Sequence, residues 1–106
     1  MQYVIGTSAG PATVDATEPV PGLRVFELPT DVSPLSPYRW VLAHHGNTVL
    51  ASFTTEAEAN TAAEQVAPLA DWTCNAMTTA NQISLGGKVE RLMELLRNAG
   101  GQHPNA

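Results

Sequence analysis

At 106 residues the chain suits one domain, 1–106, and is too short for two ordinary ones. Ten acidic against five basic residues give a formal net charge of -5, which disfavours contact with phosphate backbones and so a direct nucleic-acid role. The acids are scattered rather than packed in rows, with Glu56 and Glu58 the nearest pair, so mimicry of DNA charge is not expected either. Only 14% of residues are charged, no run approaches the roughly 20 apolar residues that a membrane crossing needs, and the single cysteine, Cys74, excludes an internal disulfide.

The opening Met1-Gln2-Tyr3-Val4-Ile5 lacks the basic residue and long apolar core of a secretory leader, so a cytoplasmic location is expected, the host cytoplasm if the gene is a phage's. Tyr3, Val4 and Ile5 form a short strand-like run ended by Gly6. Residues 7–22 contain three prolines and two further glycines and read as a long loop. Leu23 to Leu28 alternates and carries β-branched and aromatic residues, which predicts a strand. Residues 29–37 are turn-rich, with Pro34 and Pro37 at the spacing of a proline-rich docking motif but without a flanking cation.

The clearest local unit follows. Tyr38, Trp40 and Leu42 alternate with Arg39, Val41 and Ala43; His44-His45-Gly46-Asn47 supplies a turn; Val49, Ala51 and Phe53 return on one face. This predicts an antiparallel hairpin, with Trp40 packed in the core and better buried than Trp72. Thr55 and Glu58 have capping-box spacing, and 57–70 is helix-favourable with a small-residue stripe through Ala59, Ala62, Ala63, Val66 and Ala70. Pro68 would cost the carbonyl of Glu64 its hydrogen bond, so the helix should end near Ala67 or kink there.

Asp71 to Thr78 reads as a connector, with Thr79 and Gln82 at the spacing of a second cap. Leu85, Val89, Leu92, Leu96 and Ala99 then recur every three or four residues, and Met93 widens the stripe. Gly100-Gly101 should end that helix and leave a loose tail over about 101–106. The expected fold is α+β: a three- or four-stranded antiparallel sheet packed against two helices, in the order ββββαα.

Chemistry is sparse. Gly6-Thr7-Ser8-Ala9-Gly10 fits a nucleophile-elbow pattern, but Pro11 follows at once and the chain is too short for the sheet that such an elbow needs. His44, His45, Cys74 and His103 are the only histidine and cysteine residues, and adjacent histidines on alternating strand positions do not readily converge on one ion. Exposed turn histidines and a buried connector thiol are the simpler expectation. Gly86-Gly87-Lys88 lacks the rest of a phosphate loop. No catalytic residue, metal or cofactor is therefore expected.

What remains is a non-catalytic protein-binding factor: a regulator, inhibitor or accessory subunit, of which a phage-encoded inhibitor of a host defence system is one form. The alternatives are a small self-assembling component of a virion or multiprotein particle, and a small hydrolase or ligand-binding domain. The partner is expected to be another protein or a second copy. Its contacts are expected on the last helix, at Met93 and Leu95, with Arg39 and Val41 on the hairpin as the next surface. Methionine suits such a contact because its unbranched side chain adapts to varied shapes.

Overall fold

The computed structural model describes residues 2–7, 10–28, 37–46 and 48–102. Among these the chain forms five strands and three α-helices, an α+β arrangement with one strand and one helix more than the largest count expected. The strands are β1 (Gln2–Thr7), β2 (Gly10–Val20), β3 (Leu23–Glu27), β4 (Trp40–His44) and β5 (Val49–Phe53), paired antiparallel in sequence order. The helices are α1 (Glu56–Val66), α2 (Ala76–Leu85) and α3 (Val89–Asn98). No helix is long and apolar enough to cross a membrane.

The additional strand is β2, which occupies the stretch expected to be a loop. Its prolines sit where a ladder tolerates them. Pro11 is the second residue of the strand, and Pro19 lies within the register shift between Thr17 and Val20. Between them the period of two is plain: Val14 and Ala16 are buried, while Thr13, Asp15 and Thr17 are exposed. The first half of β2 pairs with β1 and the second half with β3, so one long strand serves two neighbours. The β2–β3 turn requires Gly22: its φ is +91°, and a Cβ there would lie 2.0 Å from the Trp72 carbonyl oxygen.

The sheet buries apolar side chains on both faces. On one, Leu23, Val25, Leu42, Ala51 and Phe53 meet Ala59, Ala62, Ala63 and Val66 of α1, together with Trp72, Ile83 and Leu96. On the other, Tyr3, Val14, Ala16, Phe26, Val41 and Ala43 form a smaller core. The rings of Tyr3 and Phe26 lie 5.3 Å apart, and the Tyr3 hydroxyl donates to the carbonyl of His44 at 3.0 Å, tying β1 to the end of β4. Val49 leaves the face it was expected to share with Ala51 and Phe53. The β4–β5 register slips so that Leu42 opposes Ala51 while Ala43 opposes Val49, and this bulge at Leu50 turns Val49 to the second face.

The α1 helix forms largely as its sequence dictates. The Thr55 hydroxyl accepts from Glu58 N at 3.2 Å, whereas the Glu58 carboxylate takes the Thr54 hydroxyl at 2.6 Å instead of closing a reciprocal box. The helix ends at Val66, and Pro68 is accommodated in a 3₁₀ turn over Ala67–Leu69. The second helix starts earlier than expected. Asn75, not Thr79, is its cap, accepting from Thr78 N at 2.8 Å. Gly86 and Gly87, the latter at φ +67°, separate α2 from α3 and take Leu85 out of the apolar stripe, where it is 86% exposed. Gly100 stops α3 at φ +97°, and Gly101 N donates to Leu96 O at 2.9 Å. Beyond it, Ser52 and Gln102 exchange two backbone hydrogen bonds, so Gln102, expected in a loose tail, is bridged to the edge of β5.

The order of tryptophan burial is the reverse of that expected. Trp72 is 3% exposed and its indole N–H donates to Val66 O at 3.1 Å; Trp40, at the first position of β4, is half-buried. A strand end has a core neighbour on one side only, whereas the connector folds Trp72 beneath α1. Ser8, Pro34, Asn47 and His103 lie outside the described residues, and Pro37 is exposed.

Candidate functional site

An apolar groove lies between the helix pair and the sheet. It encloses a cavity of about 230 Å³. Leu50 of β5 contributes to its wall, with Ala80 and Ile83 from α2 and Val89 and Leu92 from α3. The lining is apolar because α2 turns its positions 76, 80 and 83 inward, whereas α3 contributes positions 89 and 92: each set is three or four residues apart. Val89 on the groove wall, and Met77 and Leu85 elsewhere on α2, leave apolar groups in water. Met77 is 76% exposed, Leu85 86% and Val89 49%.

His44 and Thr79 supply the polar atoms at the buried end of the groove. His44 is the last residue of β4 and is 2% exposed, contrary to the expectation of an exposed turn residue. Its Nδ1 accepts from Gly46 N at 2.9 Å, and its Nε2 is 2.8 Å from the carbonyl oxygen of Cys74, to which it donates. These partners select the neutral tautomer with the proton on Nε2. The closeness of Gly46 is part of the arrangement, since a Cβ there would meet Nδ1 at 3.1 Å.

His45 lies one residue beyond the strand and is freed from its alternation. Its Nε2 therefore reaches the same Cys74 oxygen, at 2.9 Å, and the two imidazoles stack with centroids 4.1 Å apart. The adjacent histidines thus do converge, but on a carbonyl already shared between them. The Thr79 hydroxyl completes the cluster by donating to Asp71 O at 3.0 Å. Burial lowers the pKa of His44, and the charges of His45 and Arg24 lower it further, against the opposing effect of the bonds to Cys74 and Trp72 backbone. Cys74 itself is half-buried, with Gln82 Nε2 3.9 Å from its sulfur.

The residues expected to bind a partner do not form one surface. Val41 is 3% exposed within the second core. Arg39 is half-buried and donates from Nη2 to Leu28 O. Met93 and Leu95 are half-buried on α3, with Leu95 packed against the main core. The groove-lining face of α3, Val89 and Leu92, belongs to the apolar stripe read from sequence, whereas Ala76, Ala80 and Ile83 of α2 were not read as a face. Gly86-Gly87 ends α2 and removes Leu85, expected in that stripe, from the phase of the following helix. Among the described residues no three histidine, cysteine or acidic side chains are grouped to hold a metal ion. Comparison with family models, curated proteins and solved structures yields no match to this chain.

Proposed function

We propose that the chain is a non-catalytic protein-binding factor, a regulator, inhibitor or accessory subunit, that receives apolar side chains of a partner protein in the groove between the α2–α3 pair and the sheet. The observation that carries this reading is the open apolar cavity itself, with Val89 on its wall 49% exposed and Ala80 exposed beside it. Apolar surface left open in this way is unfavourable in water and is characteristic of surfaces that become covered. The polar atoms at the buried end, on His44 and Thr79, are already engaged within the chain. The site therefore offers shape and apolar contact rather than a reactive group. The net charge of -5 would speed encounter with a basic partner.

Affinity purification from the native host, followed by binding of the isolated partner to wild type and Ala80→Glu, tests the reading. Ala80 is exposed at the groove, so the glutamate should abolish binding without altering the far-UV circular dichroism. A partner that binds Ala80→Glu as tightly as wild type would place its contact elsewhere. Light scattering that shows a homo-oligomer dispersed by the same substitution would instead support self-assembly.

A further inference from the structure

We propose that His44 is an acid-released latch that holds α2, and with it one wall of the groove, against the sheet. The consequence for binding rests on the reading of the groove given above; the latch itself is a property of the folded chain alone.

The geometry allows only a neutral ring. Gly46 N–H points at Nδ1 from 2.9 Å, while Nε2–H is spent on Cys74 O at 2.8 Å. A second proton must go on Nδ1, where it would face another donor. The contact with Gly46 then becomes repulsive, and the ring must leave its seat to find water. Cys74 immediately precedes Asn75, the cap of α2, so the bond that fixes the ring also fixes the start of that helix.

Among the described residues only the backbone bonds to Cys74 and Trp72 favour a positive ring, and no acidic side chain does. The titratable or charged groups on the neighbouring elements are Tyr3 on β1, Asp15 and Glu18 on β2, Arg24 and Glu27 on β3, His45 in the turn, and Asp71 and Cys74 in the connector; Asp15 pairs with Gln2 and Glu27 with Trp40, away from the His44 end of β4. Glu18 is engaged by Arg24 and by Gly22 N, and the Asp71 carboxylate accepts from the Thr73 amide and hydroxyl. The Tyr3 hydroxyl is spent on the His44 carbonyl. His45, stacked at 4.1 Å, and Arg24 both oppose a cation at this position. The groove-facing residues of α2 and α3 are uncharged.

Apolar burial adds little to hold the element that the latch fixes. On α2 only Thr79 and Ile83 are buried, against four residues on α1. Release of the connector should therefore loosen α2 before the sheet, widening the groove in acid.

Amide hydrogen exchange between about pH 7.5 and about pH 5.5, corrected for intrinsic rates, brackets the ordinary histidine pKa and reads the latch directly. Protection of residues 79–85 should fall by roughly tenfold or more while that of β3 and β4 holds. Equal loss in helix and strands, or none in either, would overturn the proposal. In His44→Asn, which has an acceptor and a donor but no titration, the pH dependence of α2 should vanish; its persistence would count against the latch. Should that variant not fold, the ring nitrogen shifts of the wild type decide. A neutral Nε2–H ring titrating below 6.5 supports the latch, and an Nδ1–H tautomer or a titration at or above 6.5 ends it. None of these measurements involves a partner, so they succeed or fail independently of the groove's proposed occupant.

Discussion

The helices α1 and α2 are similar in length and both have a side-chain cap at the N-terminus, yet they are attached to the sheet by different physics. On α1, Ala59, Ala62, Ala63 and Val66 repeat at the helical period and are all fully buried against Leu42, Phe53 and their neighbours. On α2 only Thr79 and Ile83 are buried. Its place is set instead by directional bonds: the two histidines on Cys74 O, the Thr79 hydroxyl on Asp71 O, and Asp71 N on Gln82 Oε1 at 2.7 Å. Apolar burial is indifferent to pH and has no preferred partner geometry. A hydrogen-bonded attachment is sensitive to protonation and leaves apolar surface uncovered. The groove and the titratable ring therefore occur on the same side of the molecule for one reason.

The largest expected effect is on the α1 side. Phe53→Ala removes a fully buried ring beneath α1 and should cost about 3–5 kcal/mol, read as a lower denaturant midpoint at unchanged slope. A loss below about 1 kcal/mol would mean that α1 is not held by this core. On the α2 side, Ile83→Ala should cost less, about 2 kcal/mol, because the cavity beside it is already open and little further packing is lost. If the two substitutions cost the same, the contrast between the helices fails.

Acid should act on the α2 side first. The folded-state pKa of His44 is lowered from 6.5, so the unfolded chain takes up a proton that the folded chain refuses. Its contribution to stability is complete above 6.5 and declines as pH falls toward the lowered folded value, by no more than about 1.4 kcal/mol per pH unit for one proton. Glu58 and Asp71 are held below 4.5 and 3.8 by hydrogen bonds from Thr54 and Thr73 respectively, so their loss belongs to more acid solution. Denaturant titrations of wild type and His44→Asn between about pH 7.5 and about 5.5 should diverge within this window and nowhere above it.

Smaller changes sharpen the same contrast. Asn75→Ala removes the cap of α2 and should cost about 1 kcal/mol, with the loss of amide protection concentrated in that helix. Leu85→Ser should alter stability by less than about 0.5 kcal/mol, since the side chain is 86% exposed. In the Trp40→Phe variant, the remaining emission from buried Trp72 should be blue-shifted and poorly quenched by iodide; ready quenching would contradict its 3% exposure.

Local chemistry made much of this fold legible. The β4–β5 hairpin, the cap at Thr55, the end of α1 before Pro68 and the stop at Gly100 each follow from a few residues whose conformational limits hold in any context. The strand β2 was hidden because Pro11 and Pro19 signal a loop, and only pairing with β1 and β3 shows that they occupy permitted positions. The groove was half visible, through Val89 and Leu92, while Ala76 and Ala80 belong to a helix whose start depends on Asn75 meeting Thr78.

The sequence by itself determined the α+β class, the antiparallel hairpin and the amphipathic last helix, because periodicity and turn chemistry act over a handful of neighbouring residues. Tertiary structure decided which face each residue serves. A bulge at Leu50 sends Val49 to the second face, and the fold of the connector buries Trp72 more deeply than Trp40. It alone brings His44 and His45 onto one carbonyl some 30 residues away, since a hydrogen bond of that span leaves no trace in local spacing.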